Sequence, residues 1–321
     1  NGMGAEHLVT GGAGFIGSNL VRRLAGEGVR VRVFDNLSSG RRENLEGLGS
    51  AVEFAEGDLR DAAAVREAMR GIRRVFHLGA LASVQASVDD PATTHDVNLT
   101  GTLNVLLAAR DAGAERVVFS SSASVYGDSP EMPKREDMPP EPLTGYALSK
   151  LAGEHYGRIF CGLYGLPVFS LRYFNVFGPR QDPASDYAAV IPLFMRAYAQ
   201  GRQPVIYGDG GQTRDFTFVE DIVSANLACV TAPAEVAGGV YNVAYGDRIS
   251  VNDLAREIAA LAGQPFAPAY EPPRPGDIRE SQADAARARR LLGWTPRHTF
   301  AEGLAATWEW FRDRFRRTAA D

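Results

Sequence analysis

The chain predicts an α/β fold, a doubly wound parallel sheet followed by a smaller, irregular C-terminal α/β lobe. Three observations predict it. From Glu6 onward, short apolar runs alternate with helical patterns at a period near thirty residues. Helices of ten or more residues between successive strands imply parallel pairing. A glycine-rich turn joins the first strand to the first helix, and the alternation breaks after Asn175 in a chain long enough for about two domains.

Taken in order, the run His7–Thr10 predicts a first strand. Phe15, Ile16, Leu20, Val21 and Leu24 then fall at helical spacing. Strands are predicted over Arg30–Phe34, Val52–Ala55, Arg74–His77, Arg116–Ser120 and Val168–Tyr173. Between them lie predicted helices over Asp61–Met69, Asp96–Ala112 and Tyr146–Tyr164. These segments make a nucleotide-binding domain over residues 5–175. Residues 176–321 read as mainly a substrate lobe with segments returning to the sheet. Its pieces are a loop over Gly178–Pro183, a helix around Ile191–Gln200, and extended pieces at Val205–Tyr207 and Arg214–Val219. A helix over Val251–Ala262, a Pro-rich segment Tyr270–Asp277 and a last helix Phe300–Phe315 complete it.

Composition narrows the function. With 45% apolar and 23% charged residues, disorder and collagen-like architectures are excluded. The formal charge of −5 supplies no basic field for phosphate backbones, so no nucleic-acid partner is expected. No apolar run reaches the roughly 18 residues of a membrane span, and no secretory signal is expected. The opening Asn1-Gly2-Met3-Gly4 reads as a tag scar before the native start. Cys161 and Cys229 are the only thiols, and each lies in an apolar helical stretch. They are expected to be buried and inert, in a cytoplasmic protein, and no His/Cys cluster suggests a metal.

The turn Thr10-Gly11-Gly12-Ala13-Gly14-Phe15-Ile16-Gly17 sits where a dinucleotide-binding (Rossmann) turn belongs. Gly11 allows the sharp exit from the strand, Gly14 close approach of backbone to a pyrophosphate, and Gly17 tight helix–sheet packing. The following helix offers its free N–H groups and partial positive charge to the anion. Asp35 ends the second strand, where a carboxylate bonds both ribose hydroxyls of NAD and repels a 2′-phosphate. Arg41 and Arg42 follow and are read as solvated loop charges, so NAD is expected rather than NADP. Asp58, after the third strand, can reach the adenine amino group or open the helix at Asp61. Gly79-Ala80-Leu81-Ala82 after the fourth strand lets backbone lie against the cofactor or pack tightly on a helix.

The chemistry concentrates in Tyr146-Ala147-Leu148-Ser149-Lys150. On a helix, residues four apart share a face, which brings the Lys150 ammonium near the Tyr146 phenol. A phenol with an ordinary pKa near 10 is a poor base, and a nearby cation favours its phenolate. Ser120-Ser121-Ser122-Ala123-Ser124-Val125-Tyr126-Gly127 leaves the fifth strand at the edge where doubly wound sheets place ligands. A serine there can bond the same substrate oxygen as Tyr146.

These motifs, with the Asp35-Asn36-Leu37 turn, resemble the extended short-chain dehydrogenase/reductases, specifically the nucleotide-sugar 4-epimerases, from about Glu6 to about Phe315. The resemblance implies Tyr146 as acid/base. Lys150 would bind the nicotinamide ribose and lower the Tyr146 pKa. Ser122 would be the serine on the reacting hydroxyl, with Ser124 the neighbour most easily confused with it. It further places Phe15, Ile16, Asn36, Ser39, Gly40, Leu59, Leu78, Ala80, Ala82, Asn98 and Tyr173 against NAD. Ser83, Ala123, Ala189, Val190 and Tyr207 would line the sugar-nucleotide site. Asn175 of Arg172-Tyr173-Phe174-Asn175 would bond the pyrophosphate end of the substrate. Arg214 and Arg274 would grip phosphate, a task suited to a guanidinium, and Asp277 the nucleotide ribose.

The reaction so implied inverts C4 of a UDP-sugar through a 4-keto intermediate, with bound NAD consumed in neither direction. Related 4,6-dehydratases carry an Asp-Glu pair where Ala123 and Ser124 stand, and uronate decarboxylases a Glu, which counts against both. A 4-keto-sugar reductase and an epimerase of UDP-glucuronate are the alternatives. A non-catalytic NAD sensor has no reason to keep Ser122, Tyr146 and Lys150 together. In the family, the residue seven places after Arg274, here Ser281, limits room at C2. A small residue there, with Ala82, Ala123 and Ala189, implies that UDP-N-acetylglucosamine is accepted beside UDP-glucose. A homodimer is expected through the helices 96–112 and 146–164, with Leu99, Leu103, Leu106 and Leu107 as the apolar stripe.

Overall fold

Seven strands form one parallel sheet: β1 His7–Thr10, β2 Val31–Asp35, β3 Val52–Glu56, β4 Arg74–His77, β5 Arg116–Ser122, β6 Val168–Tyr173 and β7 Val240–Val243. The computed structural model describes residues 4–182, 189–273 and 279–318. Spatial order is β7-β6-β5-β4-β1-β2-β3. Neighbouring residues along each strand divide between two apolar clusters. Val9, Val33, Phe76, Val118 and Phe169 enter one, and Leu8, Phe34, Val75, Val117 and Val168 the other. Period-two side-chain alternation with both faces apolar is what a sheet covered by helices on both sides requires. Strand order reverses between β1 and β4, which opens a crevice at their carboxyl ends.

The helix Gly145–Tyr164 packs on β5 and β6 through glycines. A Cβ on Gly153 would enter the Phe119 ring, and one on Gly157 would lie 2.9 Å from Val168 Cγ1. That close approach carries Tyr146 and Lys150 to the end of β5. The helix expected over Asp96–Ala112 is instead interrupted. A helix Pro91–His95 runs into a π-helical turn Asp96–Thr100, and α-helix resumes over Gly101–Asp111. Leu106 is buried against the sheet. The apolar stripe read on that helix is therefore partly core, a correction to the expected dimer face. Cys229 is buried as expected, but Cys161 is only half-buried.

After β6 the elements shorten. Val176–Phe177 pairs with Thr217–Phe218, Thr213–Arg214 with Ile249–Ser250, and Val205–Tyr207 with Ala269–Glu271. The helices Val190–Ala199, Val251–Ala262 and Phe300–Thr318 close over a third cluster containing Phe177, Phe194, Phe216, Phe218 and Phe300. The sequence reading placed Cys229 in an apolar helical stretch without bounding that helix, Val219–Thr231, and it missed the strand β7, which returns to pair with β6. Among the described residues, no helix is long and apolar enough to cross a membrane.

Candidate active site

At the head of the crevice, Gly11 has φ +67°, and a Cβ there would lie 2.8 Å from Gly79 Cα. A Cβ on Gly17 would run into the Gly11 carbonyl oxygen. The turn therefore tolerates only glycine at both positions, and it leaves the first N–H groups of the helix Phe15–Gly26 facing the crevice. Asp35 lies beside it, buried, accepting the Ala13 N–H at 3.0 Å and the Leu37 N–H at 2.8 Å. Gly40 leaves that carboxylate its room, since a Cβ there would lie 2.9 Å from both oxygens. The two nearby arginines are engaged elsewhere. Arg41 pairs with Asp182 at 2.7 Å, while Arg42 pairs with Glu56 at 2.8 Å and covers the Phe54 ring. A carboxylate at the ribose position with no ion pair among the described residues, and with both nearby arginines engaged, fits NAD better than a 2′-phosphate.

Asp58 is held by Asn36 at 3.1 Å and by the Arg60 guanidinium, whose hydrogen bonds keep the carboxyl far below its ordinary pKa. It does not open the next helix. Asp61 does, accepting the Ala63 and Ala64 N–H groups. Leu59 is buried beneath Gly79 and Gly101. Ser39 and Ala82 are exposed, while Leu78 and Ala80 are half-buried at the end of β4.

His77, which the sequence reading placed only as the last residue of the fourth strand, joins these segments. The Thr102 hydroxyl donates to the Asn98 carbonyl at 2.5 Å, so its oxygen accepts the His77 Nε2–H at 2.9 Å. Nδ1 then accepts the Thr10 hydroxyl at 2.7 Å, and Thr10 Oγ1 accepts the Gly79 N–H at 3.1 Å. Burial, aided by the Lys150 charge, pulls this imidazole down to about 3, so it is neutral. Asn98 continues the chain, bonding the Leu81 N–H at 2.8 Å, the Leu81 carbonyl at 3.1 Å and Ser149 Oγ at 3.2 Å. The π-helical turn sets Asn98 at that junction.

Each serine of the run leaving β5 has its own partner. The Ser120 carbonyl accepts Lys150 Nζ at 2.8 Å. Ser121 Oγ donates to Glu154 at 2.5 Å, and Glu154 holds Arg172 through bonds of 2.8 and 2.7 Å in a fully buried pair. Ser122 Oγ accepts the Ser124 N–H at 3.2 Å and the Ser124 hydroxyl at 3.0 Å. Burial pulls the Lys150 ammonium down to about 8. It also pushes the Tyr146 phenol up, with a Ser122 hydrogen bond working in the opposite direction. The expected lowering of the phenol by Lys150 is not the dominant effect. Nζ lies over the Tyr146 ring, 5.8 Å from its centroid, and desolvation of the phenolate is the largest cause of the shift.

A cavity of about 450 Å³ lies next to this edge, lined by Asn175, Ala189, Val190, Tyr207 and Arg214 together with Phe177, Phe194 and Phe216. Five expected substrate residues thus meet in one place. Asn175, at φ +33°, donates to the Asp215 carbonyl at 3.1 Å. Ser122, Ala123, Ser83 and Ser281 do not line that cavity. Ser83 caps the helix Val84–Asp89, accepting the Ala86 N–H at 3.0 Å, and Ser281 is half-buried. Tyr173 spends its hydroxyl on Asn226, so only its ring can face a cofactor. Arg274 and Asp277 lie outside the described residues. Asp215, to which the sequence reading gave no role, is buried with no ion-pair partner among the described residues and accepts N–H groups from Gly246 and Ala283 at 3.0–3.2 Å. Among the described residues, no three His, Cys, Asp or Glu side chains could hold a metal.

Comparison with known proteins settles the family. Residues 7–244 match the NAD dependent epimerase/dehydratase family. The chain belongs to that family. Its relatives include a UDP-glucose 4-epimerase of Mycolicibacterium smegmatis, 44% identical over 96% of this chain and 98% of that protein. A solved UDP-N-acetylglucosamine 4-epimerase from Methanobrevibacter ruminantium, in complex with UDP-N-acetylmuramic acid, superposes with a TM-score of 0.92 at 40% identity. It covers 97% of this chain and all of that one. A Thermus thermophilus UDP-glucose 4-epimerase in complex with NAD superposes at 0.86 with 39% identity, covering 95% and 98%. Within the family, the fold is a Rossmann sheet and the cofactor is NAD. The Gly11–Gly17 turn, Asp35, Asn98 and Lys150 border the crevice and are the residues that could hold it.

Proposed function

We propose that this family member is an NAD-dependent UDP-sugar 4-epimerase that accepts UDP-N-acetylglucosamine as well as UDP-glucose. The observation that carries the reading is the meeting of Ser122, Tyr146 and Lys150 at the carboxyl edge of β5, one strand from the nucleotide crevice. NAD supplies, when bound, the hydride acceptor and the hydride donor. Tyr146, as phenolate, takes the proton of the C4 hydroxyl, and Ser122 donates to the same oxygen as it becomes a carbonyl. Lys150 holds positive charge beside the phenolate and the cofactor ribose. Arg214 and Asn175 keep the nucleotide end anchored in the cavity while the flat 4-keto sugar presents its other face. Tyr146 then returns the proton. Residues 176–321 serve mainly the substrate, with the helix Val219–Thr231 and β7 returning to the sheet.

Acceptance of the acetamido group rests on the small side chain of Ser281, which leaves volume without overpacking. Purified protein should interconvert UDP-glucose and UDP-galactose, and their N-acetyl counterparts, with no NAD added. Absence of turnover on both pairs, with NAD supplied, overturns the reading. A homodimer is supported by Leu148, Ile159, Leu163 and Tyr164, which expose an apolar stripe along the helix Gly145–Tyr164. A monomer mass by light scattering at micromolar concentration removes that part.

A further inference from the structure

The turn that carries Ser122 is held at both ends by one buried ion pair. Ser121, the residue before Ser122, donates its hydroxyl to Glu154 Oε1 at 2.5 Å. The direction of that bond is fixed, because a carboxylate engaged by a guanidinium can only accept. Arg172 grips both oxygens of Glu154, through Nε at 2.8 Å and Nη2 at 2.7 Å, and stands beside Ser121 in the β5–β6 ladder. All three residues are buried. The Arg172 guanidinium also lies 4.6 Å from the ring centroid of Tyr126, the last residue of the 3₁₀ turn Ala123–Tyr126. Tyr126 in turn donates its hydroxyl to Asn242 Oδ1 at 2.7 Å, since the amide nitrogen of Asn242 faces the carbonyls of Lys134 and Asp284.

Glu154 follows Lys150 by four residues and Tyr146 by eight, along one side of the helix Gly145–Tyr164. That side meets the end of β5 twice, at the Ser120 carbonyl through Lys150 and at the Ser121 hydroxyl through Glu154. The two contacts differ in rigidity. Lys150 reaches over a flexible four-carbon stem, and on the epimerase reading its ammonium also serves the cofactor ribose. Glu154 has no such freedom, since Arg172 holds both its oxygens. A buried ion pair is a poor source of stability, because desolvating two charges cancels most of their attraction. An apolar pair of similar volume would fill the same space, but it would leave the Ser121 hydroxyl nothing to bond. We infer that Ser121 is a positioning residue: bonded to the Arg172-braced carboxylate of Glu154, it sets the strand end bearing Ser122 against the helix bearing Tyr146 and Lys150. The inference rests on the epimerase reading for the roles of Ser122 and Tyr146. Neither Ser121, Glu154 nor Arg172 lines the substrate cavity, so what they control is placement. Ser122 stands one peptide beyond the anchored residue, and a misplacement of about 1 Å at a reacting group can cost on the order of 10²-fold.

Ser121→Ala leaves the Glu154–Arg172 pair intact and so tests the bond without unpairing a buried charge. It should lower kcat about tenfold, the lower end of what a hydrogen bond to a charged group contributes, with KM for the UDP-sugar and bound NAD unchanged. Ser121→Thr returns the hydroxyl and should restore most of the rate. Hydrogen exchange of the NAD-loaded protein reads the placement without substrate. In Ser121→Ala, peptides over residues 122–127 should exchange about tenfold faster, and those over 145–164 at the parent's rate. An undiminished kcat overturns the inference. A loss of rate that comes with faster exchange along the helix, or with loss of NAD, overturns it as well, since Ser121 would then be a general packing residue. Failure of threonine to rescue, in a variant that melts with the parent, assigns the loss to packing and has the same consequence. Failure of the parent to epimerise any UDP-sugar sinks the functional reading alone, whereas unchanged exchange over 122–127 sinks this one alone.

Discussion

The nucleotide crevice and the substrate cavity are built by opposite means. The crevice sits on strands of four to seven residues, in a ladder continuous across seven strands. The cavity is framed by strand pairs of two or three residues. What holds the cavity side is side-chain packing, with Phe177 at 5.6–6.3 Å from Phe216, Phe218 and Phe300, and the Asp215 clasp on Gly246 and Ala283. A ladder shares any local loss among many hydrogen bonds, whereas a clasp depends on a single group. The crevice is thus a fixed platform for the cofactor and the acid/base pair. The cavity side can change its specificity by one side chain without disturbing that platform.

The largest expected effect tests the platform. Tyr146→Phe should reduce epimerisation by at least about 10²–10⁴-fold, the usual contribution of a general acid–base group, with bound NAD unchanged. Residual activity within a few-fold of the parent would show that another residue takes the proton. Next in size is the pH dependence of the two regions, which should have opposite signs. His77 is held down at about 3 when folded, against about 6.5 unfolded. The unfolded chain binds more protons between those values, so stability is lost as pH falls through that window, by on the order of 4 kcal/mol for a fully buried group. Burial holds Asp215 up at about 7, against about 3.9 unfolded. Its contribution is present below the unfolded value and is lost as pH rises towards 7 and beyond. Hydrogen exchange at pH 5 and pH 8 reads both. Acid should loosen β1 and β4 selectively and base the segments around Gly246 and Ala283, and uniform loosening at either pH would erase the distinction.

A smaller effect sharpens the specificity side. Ser281→Tyr should suppress turnover of UDP-N-acetylglucosamine about tenfold while sparing UDP-glucose, because a side chain that fills the acetamido volume overpacks that substrate alone. Equal losses on the two substrates would place Ser281 away from the sugar. The smallest effect is expected at Arg41. Arg41→Ala breaks an exposed pair with Asp182, worth at most about 1 kcal/mol, so NAD retention should fall only a few-fold and activity at saturating NAD should hold. Retention unchanged at low and high salt would make the pair irrelevant to the cofactor.

Much of this was legible in the sequence, for a local reason. β1, β4 and β6 lie where the residue pattern places them, because each is a short apolar run bounded by turn residues. The Gly11–Gly17 turn was readable because its glycines answer to φ and to backbone clearance, both properties of the chain itself. The Tyr146–Lys150 pair was readable because helical geometry alone puts the two on one face. β7 and the bounds of the helix Val219–Thr231 were not. Val240–Val243 carries Tyr241 and Asn242 between its two valines, so no continuous apolar run marks it. The helix is apolar on most sides and carries a buried Asp221 whose partners, Arg297 and His298, are remote in the sequence.

The sequence by itself thus determined the parallel sheet, the dinucleotide turn and the identity of the acid/base helix, since each follows from periodicity or from one residue's conformational limits. Tertiary structure alone decided the rest. It set His77 between Thr10 and Thr102, closed Glu154 onto Arg172, and brought Ser124 onto Ser122. It also decided that burial pushes the Tyr146 phenol up. Protonation and hydroxyl direction depend on which groups desolvate and bond one another across the folded chain. Residue spacing along the sequence carries no record of those distances.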